Sequence, residues 1–137
     1  MIWIIGNKDI QRKKLSKLSM AFNVELADRT REIISLIHTN VEEKRMFGGL
    51  CFMVNDKMCL GIIKDKLMVR LDPAMYDEVM EMEGCEPMDF SGKPMKGFVF
   101  VDTFALSTRQ KLEYWIDLAL DYNKVAKKAR KRGHKDL

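Results

Sequence analysis

KRMFGGLCFMVNDKMCLGIIKDKLMVRL, residues Lys44–Leu71, is the stretch whose reading decides the fold. It holds three apolar runs, Met46–Val54, Met58–Ile63 and Leu67–Leu71, parted by the polar pairs Asn55-Asp56 and Lys64-Asp65. Runs this short, spaced this closely, are strands rather than helices. Joints of two residues, with Asn and Asp able to take positive φ, are hairpin turns. The stretch therefore reads as an antiparallel meander, the centre of an α+β fold.

The elements on either side follow from local chemistry. Asn23 is a good N-cap, and Glu25 places an acid in the first turn, where the helix dipole favours it. Leu26, Thr30, Ile33 and Ile37 then recur at helical spacing, predicting a helix that ends near His38–Asn40. Glu42, Glu43, Lys44 and Arg45 read as its polar exit into the sheet. Beyond the meander, Asp72-Pro73 opens a short helix through Tyr76, Val79 and Met80, and Gly84 stops it. Met88–Phe90 and Gly97–Val101 read as a hairpin around Ser91–Pro94. Ser107 is the expected cap of a last helix whose Leu112, Trp115, Ile116, Ala119 and Tyr122 share one face. The expected order is helix, three strands, helix, two strands, helix: a single antiparallel sheet of about five strands packed against helices.

Length and composition narrow the class. A chain of 137 residues, 47% hydrophobic, supplies one domain with one sizeable core. No apolar run approaches the about 20 residues of a membrane-spanning helix. Three cysteines and no export-type leader lead us to expect a cytoplasmic protein with reduced thiols. The net charge of +4 is unevenly spread. Residues 1–19 hold five basic and one acidic side chains, and residues 124–137 hold seven and one. Residues 20–123 hold twelve basic and eighteen acidic, so the globular part is acidic. We read 1–19 as an extension outside the core, 20–123 as the domain and 124–137 as a basic tail. Nucleic-acid contact, if weak and non-specific, falls to Lys124, Lys127, Lys128, Arg130, Lys131 and Arg132 in that tail.

Catalytic and metal chemistry find little support. Phosphate-binding loops run from a strand into a helix, whereas the glycines of Arg45-Met46-Phe47-Gly48-Gly49 enter a strand. That block reads as a bend, and it is the candidate partner-binding or structural motif. Cys51 and Cys59 fall on opposite faces of the sheet if Phe52 pairs with Cys59 and Cys51 with Leu60, so no zinc site is expected. His38 and His134 have no nucleophile or metal-ligand spacing around them. We expect no cofactor, no metal and no enzymatic activity. Eleven methionines are unusual; most of those in or beside the sheet read as core, and thioethers also line adaptable partner grooves.

From about Met20 to Asn123 the sequence resembles the N-terminal domain of the TfoX/Sxy family. The features are ELADRTREI, Arg45-Met46-Phe47-Gly48-Gly49, the hairpin, KLMVRLDP, PMDFSGKPMKGFVFV, and Leu112…Trp115-Ile116…Ala119-Leu120…Asn123. The resemblance implies a compact α+β domain with one antiparallel sheet backed by helices, and carries no catalytic residues with it. Some full-length relatives regulate natural-competence genes beside a cyclic-AMP-responsive transcription factor, and they have a second, helical domain where this sequence has its basic tail. The expected function is a non-enzymatic interaction domain with a protein partner in the transcription machinery. The alternative is a small-molecule or peptide-binding module that uses a methionine-rich sheet face.

Overall fold

Asn55 and Asp56 both take positive φ, at 52° and 65°, and the strands they join are paired directly from Val54 to Lys57. This is a two-residue turn whose twist matches the strands it connects. The second joint, Lys64-Asp65, closes between Ile63 and Lys66, with Lys64 at φ 55°. The computed structural model describes residues 22–46, 48–89, 92 and 94–127, and over these the meander forms the middle of one six-stranded antiparallel sheet. The expected extension at 1–19 and most of the basic tail lie outside the described residues.

In chain order the elements are α1 (Val24–Ile37), β1 (Val41–Met46), β2 (Gly49–Val54), β3 (Lys57–Ile63), β4 (Lys66–Arg70), α2 (Tyr76–Val79), β5 (Cys85–Asp89), β6 (Pro94–Asp102) and α3 (Arg109–Asn123). Short 3-10 turns, Pro73–Met75 and Thr103–Leu106, precede α2 and α3. The strand order is β1-β2-β3-β4-β6-β5.

Three details differ from the sequence reading. The polar exit Glu42–Arg45 is strand β1, paired from Val41 opposite Val54 to Met46 opposite Gly49, so there are six strands rather than about five. Its four charged residues are exposed, as suits a sheet edge, and that hid it from a search for apolar runs. A bulge in β2–β3 places Phe52 opposite Leu60 and Cys51 opposite Gly61, leaving Cys59 as the extra residue rather than the partner of Phe52. Thr108, not Ser107, caps α3: its side chain accepts from the Lys111 N–H at 3.1 Å.

The main core lies between one face of the sheet and all three helices. Leu26, Ala27 and Ile34 of α1 and Leu112, Trp115, Ile116 and Ala119 of α3 meet Leu50, Phe52, Leu60, Ile62, Leu67 and Val69 from the strands. Polar bonds fix where the helices sit. Asn123 closes α3 against the first hairpin, donating from Nδ2 to the Val54 carbonyl at 3.1 Å and accepting Lys57 Nζ on its own carbonyl at 2.6 Å. Arg29 ties α1 to the segment before α3 by donating to the Leu106 carbonyl at 2.6 Å. At the other end, the Lys64 carbonyl accepts the Asn23 N–H at 2.7 Å, and the Asp65 carbonyl accepts the Thr103 hydroxyl at 2.7 Å. The second turn is thus the junction where the chain enters α1 and where β6 hands over to α3.

Trp115 is 2% exposed in this core. Trp115→Ala is expected to lose about 3–5 kcal/mol of unfolding free energy, enough to leave a domain this size largely unfolded. Urea denaturation followed by circular dichroism measures it; an unshifted midpoint contradicts the packing described.

Candidate interaction surface

Period-two alternation sends half the residues of each strand away from the helices. On that second face Cys51, Met68 and Met88 form a buried cluster, with Met46, Met58, Ile63, Phe98 and Phe100 packed around it, half-exposed. Cys51 and Met68 are 0% exposed. No helix among the described residues packs on this side: every helical core residue belongs to the first face.

Strand register shows how the surface is built. One row crosses the whole sheet, Lys44–Cys51–Gly61–Met68–Phe100–Glu86. Gly61 is its gap. A Cβ there would stand 3.0 Å from the Met68 methyl and 3.2 Å from Cys51 Sγ, so these two side chains lean into the space glycine leaves. The ends of the row are charged, and Lys66 Nζ pairs with Glu86 at 2.5 Å to close one corner. At another corner the Arg70 guanidinium lies 5.8 Å from the centre of the Phe98 ring and 5.7 Å from that of Tyr122. Cation–π contact of this kind holds a charge at the border of an apolar area. The result is a soft, polarizable floor of thioethers and phenyl rings with ionic edges.

The block expected to matter in binding is divided by the structure. Met46 packs at the methionine cluster, while Arg45 is exposed on the edge strand. Gly48 takes φ 74° in the turn between β1 and β2, and Phe47 lies outside the described residues. Gly49 answers a different demand: a Cβ would sit 2.3 Å from the Ile62 carbonyl oxygen. The two glycines serve a turn and a close approach, and no phosphate cradle is formed. Of the tail, Lys124 and Lys127 are exposed beyond α3, Lys124 lying 3.8 Å from Asp121; Lys128, Arg130, Lys131 and Arg132 lie outside the described residues.

The cysteines separate as expected by face, although not by register. Cys51 belongs to the methionine cluster and Cys59 to the helix-covered core. Burial pushes the Cys51 thiol up to about 11 and that of Cys59 to about 12, the latter in spite of Arg70. Cys85, held up by burial and by the Glu86 carboxylate, stands at about 11. Neutral thiols are weak nucleophiles and weak metal ligands. Because the native values are raised, their contribution to stability is complete below the ordinary thiol range and is lost as pH climbs through it towards the folded values.

Sequence inspection placed methionines in the sheet without resolving which face they occupy. Phe98 and Phe100 were missed as surface residues. Their signal was available: in Gly97–Val101 both alternating sets are apolar, which calls for burial on two sides.

Residues 33–122, well over half of the chain, match the family described as TfoX N-terminal domain. The chain belongs to that family. No curated protein and no solved structure matches it. The match runs from the second half of α1 to the end of α3, so the TfoX N-terminal domain includes every strand of the methionine-lined face.

The two glycines of the motif give a test. Gly48 has nothing within 4 Å of a built Cβ, and Asn tolerates its conformation, so Gly48→Asn is expected to leave the denaturation midpoint nearly unchanged. Gly49→Ala forces β2 away from β3 and is expected to cost about 1–3 kcal/mol. Equal effects of the two substitutions contradict these separate roles.

Proposed function

We propose that this TfoX N-terminal domain is a non-catalytic interaction domain whose binding surface is the methionine-lined sheet face, and that it serves a transcription-regulating assembly. The observation that carries this reading is the one-sided layering. All described helices cover one face, while the other presents Met46, Met58, Phe98 and Phe100 half-exposed around a buried Cys51–Met68–Met88 cluster. Methionine adapts its shape at little cost, which favours apolar side chains of a protein or peptide partner over a ligand of fixed outline. Charged groups at the edges, Lys44, Glu86 and Arg70 among them, supply the polar rim typical of such interfaces. The link to transcription rests on the family alone.

Affinity capture from lysate, with and without nuclease, compares the parent with Phe98→Glu and Met58→Glu. Both positions are half-exposed, so the fold is expected to survive. Proteins retained after nuclease and lost with either substitution support the reading. The same proteins captured by all three forms overturn it.

A second reading, weak nucleic-acid contact through the tail, is favoured by the exposure of Lys124 and Lys127 beyond an acidic domain. Contact of six cations with phosphates gives a log–log salt slope near about −5 with little sequence preference, and truncation after Asn123 removes it. DNA titrations at two salt concentrations check this; equal binding by the truncated form places the contact on the domain instead.

A further inference from the structure

The half-buried basic side chains among the described residues are Arg29, Arg31, Lys57, Lys66 and Arg70. All but the last reach a close acceptor. Arg29 donates to the Leu106 carbonyl at 2.6 Å, and Lys57 to that of Asn123 at 2.6 Å. Arg31 forks onto Glu43 at 2.5 and 2.7 Å, and Lys66 meets Glu86 at 2.5 Å. Arg70 is the exception. Its hydrogen bond from Nη1 to the Met58 carbonyl is 3.3 Å long, and no carboxylate among the described residues pairs with it. A guanidinium carries several N–H donors in a flat fork, so most of those on Arg70 have no acceptor among the described residues. The Phe98 and Tyr122 rings, with centres 5.8 and 5.7 Å away, attract its charge without neutralising it. Withdrawing a cation from water without acceptors is costly. A fork held in this way matches a carboxylate, which takes two parallel N–H bonds.

Position ties the fork to the surface already described. Arg70 stands opposite Phe98 in the β4–β6 register and touches β3 at Met58, so it lies on the methionine face between two of its half-exposed residues. These surroundings choose among anions. A nucleic-acid strand brings repeated charge to a domain with twelve basic and eighteen acidic side chains in residues 20–123. A single carboxylate carried between apolar side chains satisfies the fork and the thioether floor together.

We propose that Arg70 anchors one aspartate or glutamate side chain of an otherwise apolar partner peptide lying across Met58 and Phe98. The inference rests on the reading of the methionine face as the binding surface and names what its partner must carry.

Random peptides displayed on phage, selected on the full chain, supply the probe. Selected peptides are expected to combine apolar residues with one acid; peptides without an acid, or no selection at all, overturn the proposal. Synthetic copies are then titrated by fluorescence anisotropy. Changing the acid to its amide is expected to weaken binding to the parent protein about tenfold or more, a comparison that leaves the protein itself untouched. Arg70→Gln is expected to erase the difference between acid and amide, and Arg70→Lys to keep part of it, since lysine retains the charge without the fork. Equal binding of the two forms by the parent, or a preference for the acid that survives Arg70→Gln, overturns the anchor. Displacement of the peptide by an equal concentration of single-stranded DNA overturns the assignment to a carboxylate. Phe100→Ala reads the face separately, because it is expected to weaken acid and amide forms alike. An acid preference that depends on Arg70 while Phe100→Ala changes neither form overturns the binding face. Loss of the acid preference with Phe100 still required overturns the anchor alone, so the two failures are told apart.

Discussion

Backbone pairing along β2, β3 and β4 is the constraint on which the rest of this domain depends. These strands lie in the middle of the sheet, with β2 buried along its whole length, and their hydrogen bonds have no water to fall back on. Two-residue turns at Asn55-Asp56 and Lys64-Asp65 set their register, and three non-glycine residues take positive φ to do so. Those same turns receive the helices. Asn123 and Lys57 latch α3 to the first, and Asn23 enters α1 from the second. A slip of one residue would exchange the two faces of the sheet and misplace both helices together.

The bulge at Cys59 is a local departure with wide effect. Without it, the ladder continued from the turn would pair Phe52 with Cys59 and Cys51 with Leu60, leaving Cys59 under the helices and carrying Leu60 to the methionine face. With it, Cys59 and Leu60 both join the helix-covered core, and Gly61 returns to the opposite side opposite Cys51. Gly61 is then where Met68 and Cys51 approach one another. The softest part of the surface thus owes its shape to one extra residue and one missing side chain.

Much of this was legible in the sequence. The meander, both turns, the N-cap at Asn23, the Asp72-Pro73 start and the buried face of α3 follow from spacing and residue type, because each is decided by neighbours in the chain. Strand β1 was not legible, since Glu42–Arg45 has no apolar face to detect and is a strand only because β2 offers it partners. Arg31 reinforces it with a fork onto Glu43 at 2.5 and 2.7 Å, a contact twelve residues apart. The bulge was invisible for a related reason: it depends on which strand partner fits, and periodicity alone cannot supply that. The methionine face fell between these cases. Its residues were identified, while their gathering on one side required the register of five strand pairs.

The two edges of the sheet bear on how the molecule can associate. On one side β1 offers a ribbon of exposed glutamate, lysine and arginine; on the other, β5 has Pro87 in its middle, a residue without an N–H to donate. Both are devices that discourage a foreign strand from extending the sheet. Recognition by strand addition, the commonest use of an open sheet edge, is therefore poorly provided for. A partner is turned towards side-chain contact on a face, where selectivity comes from the shape and softness of apolar groups and a backbone ladder contributes nothing.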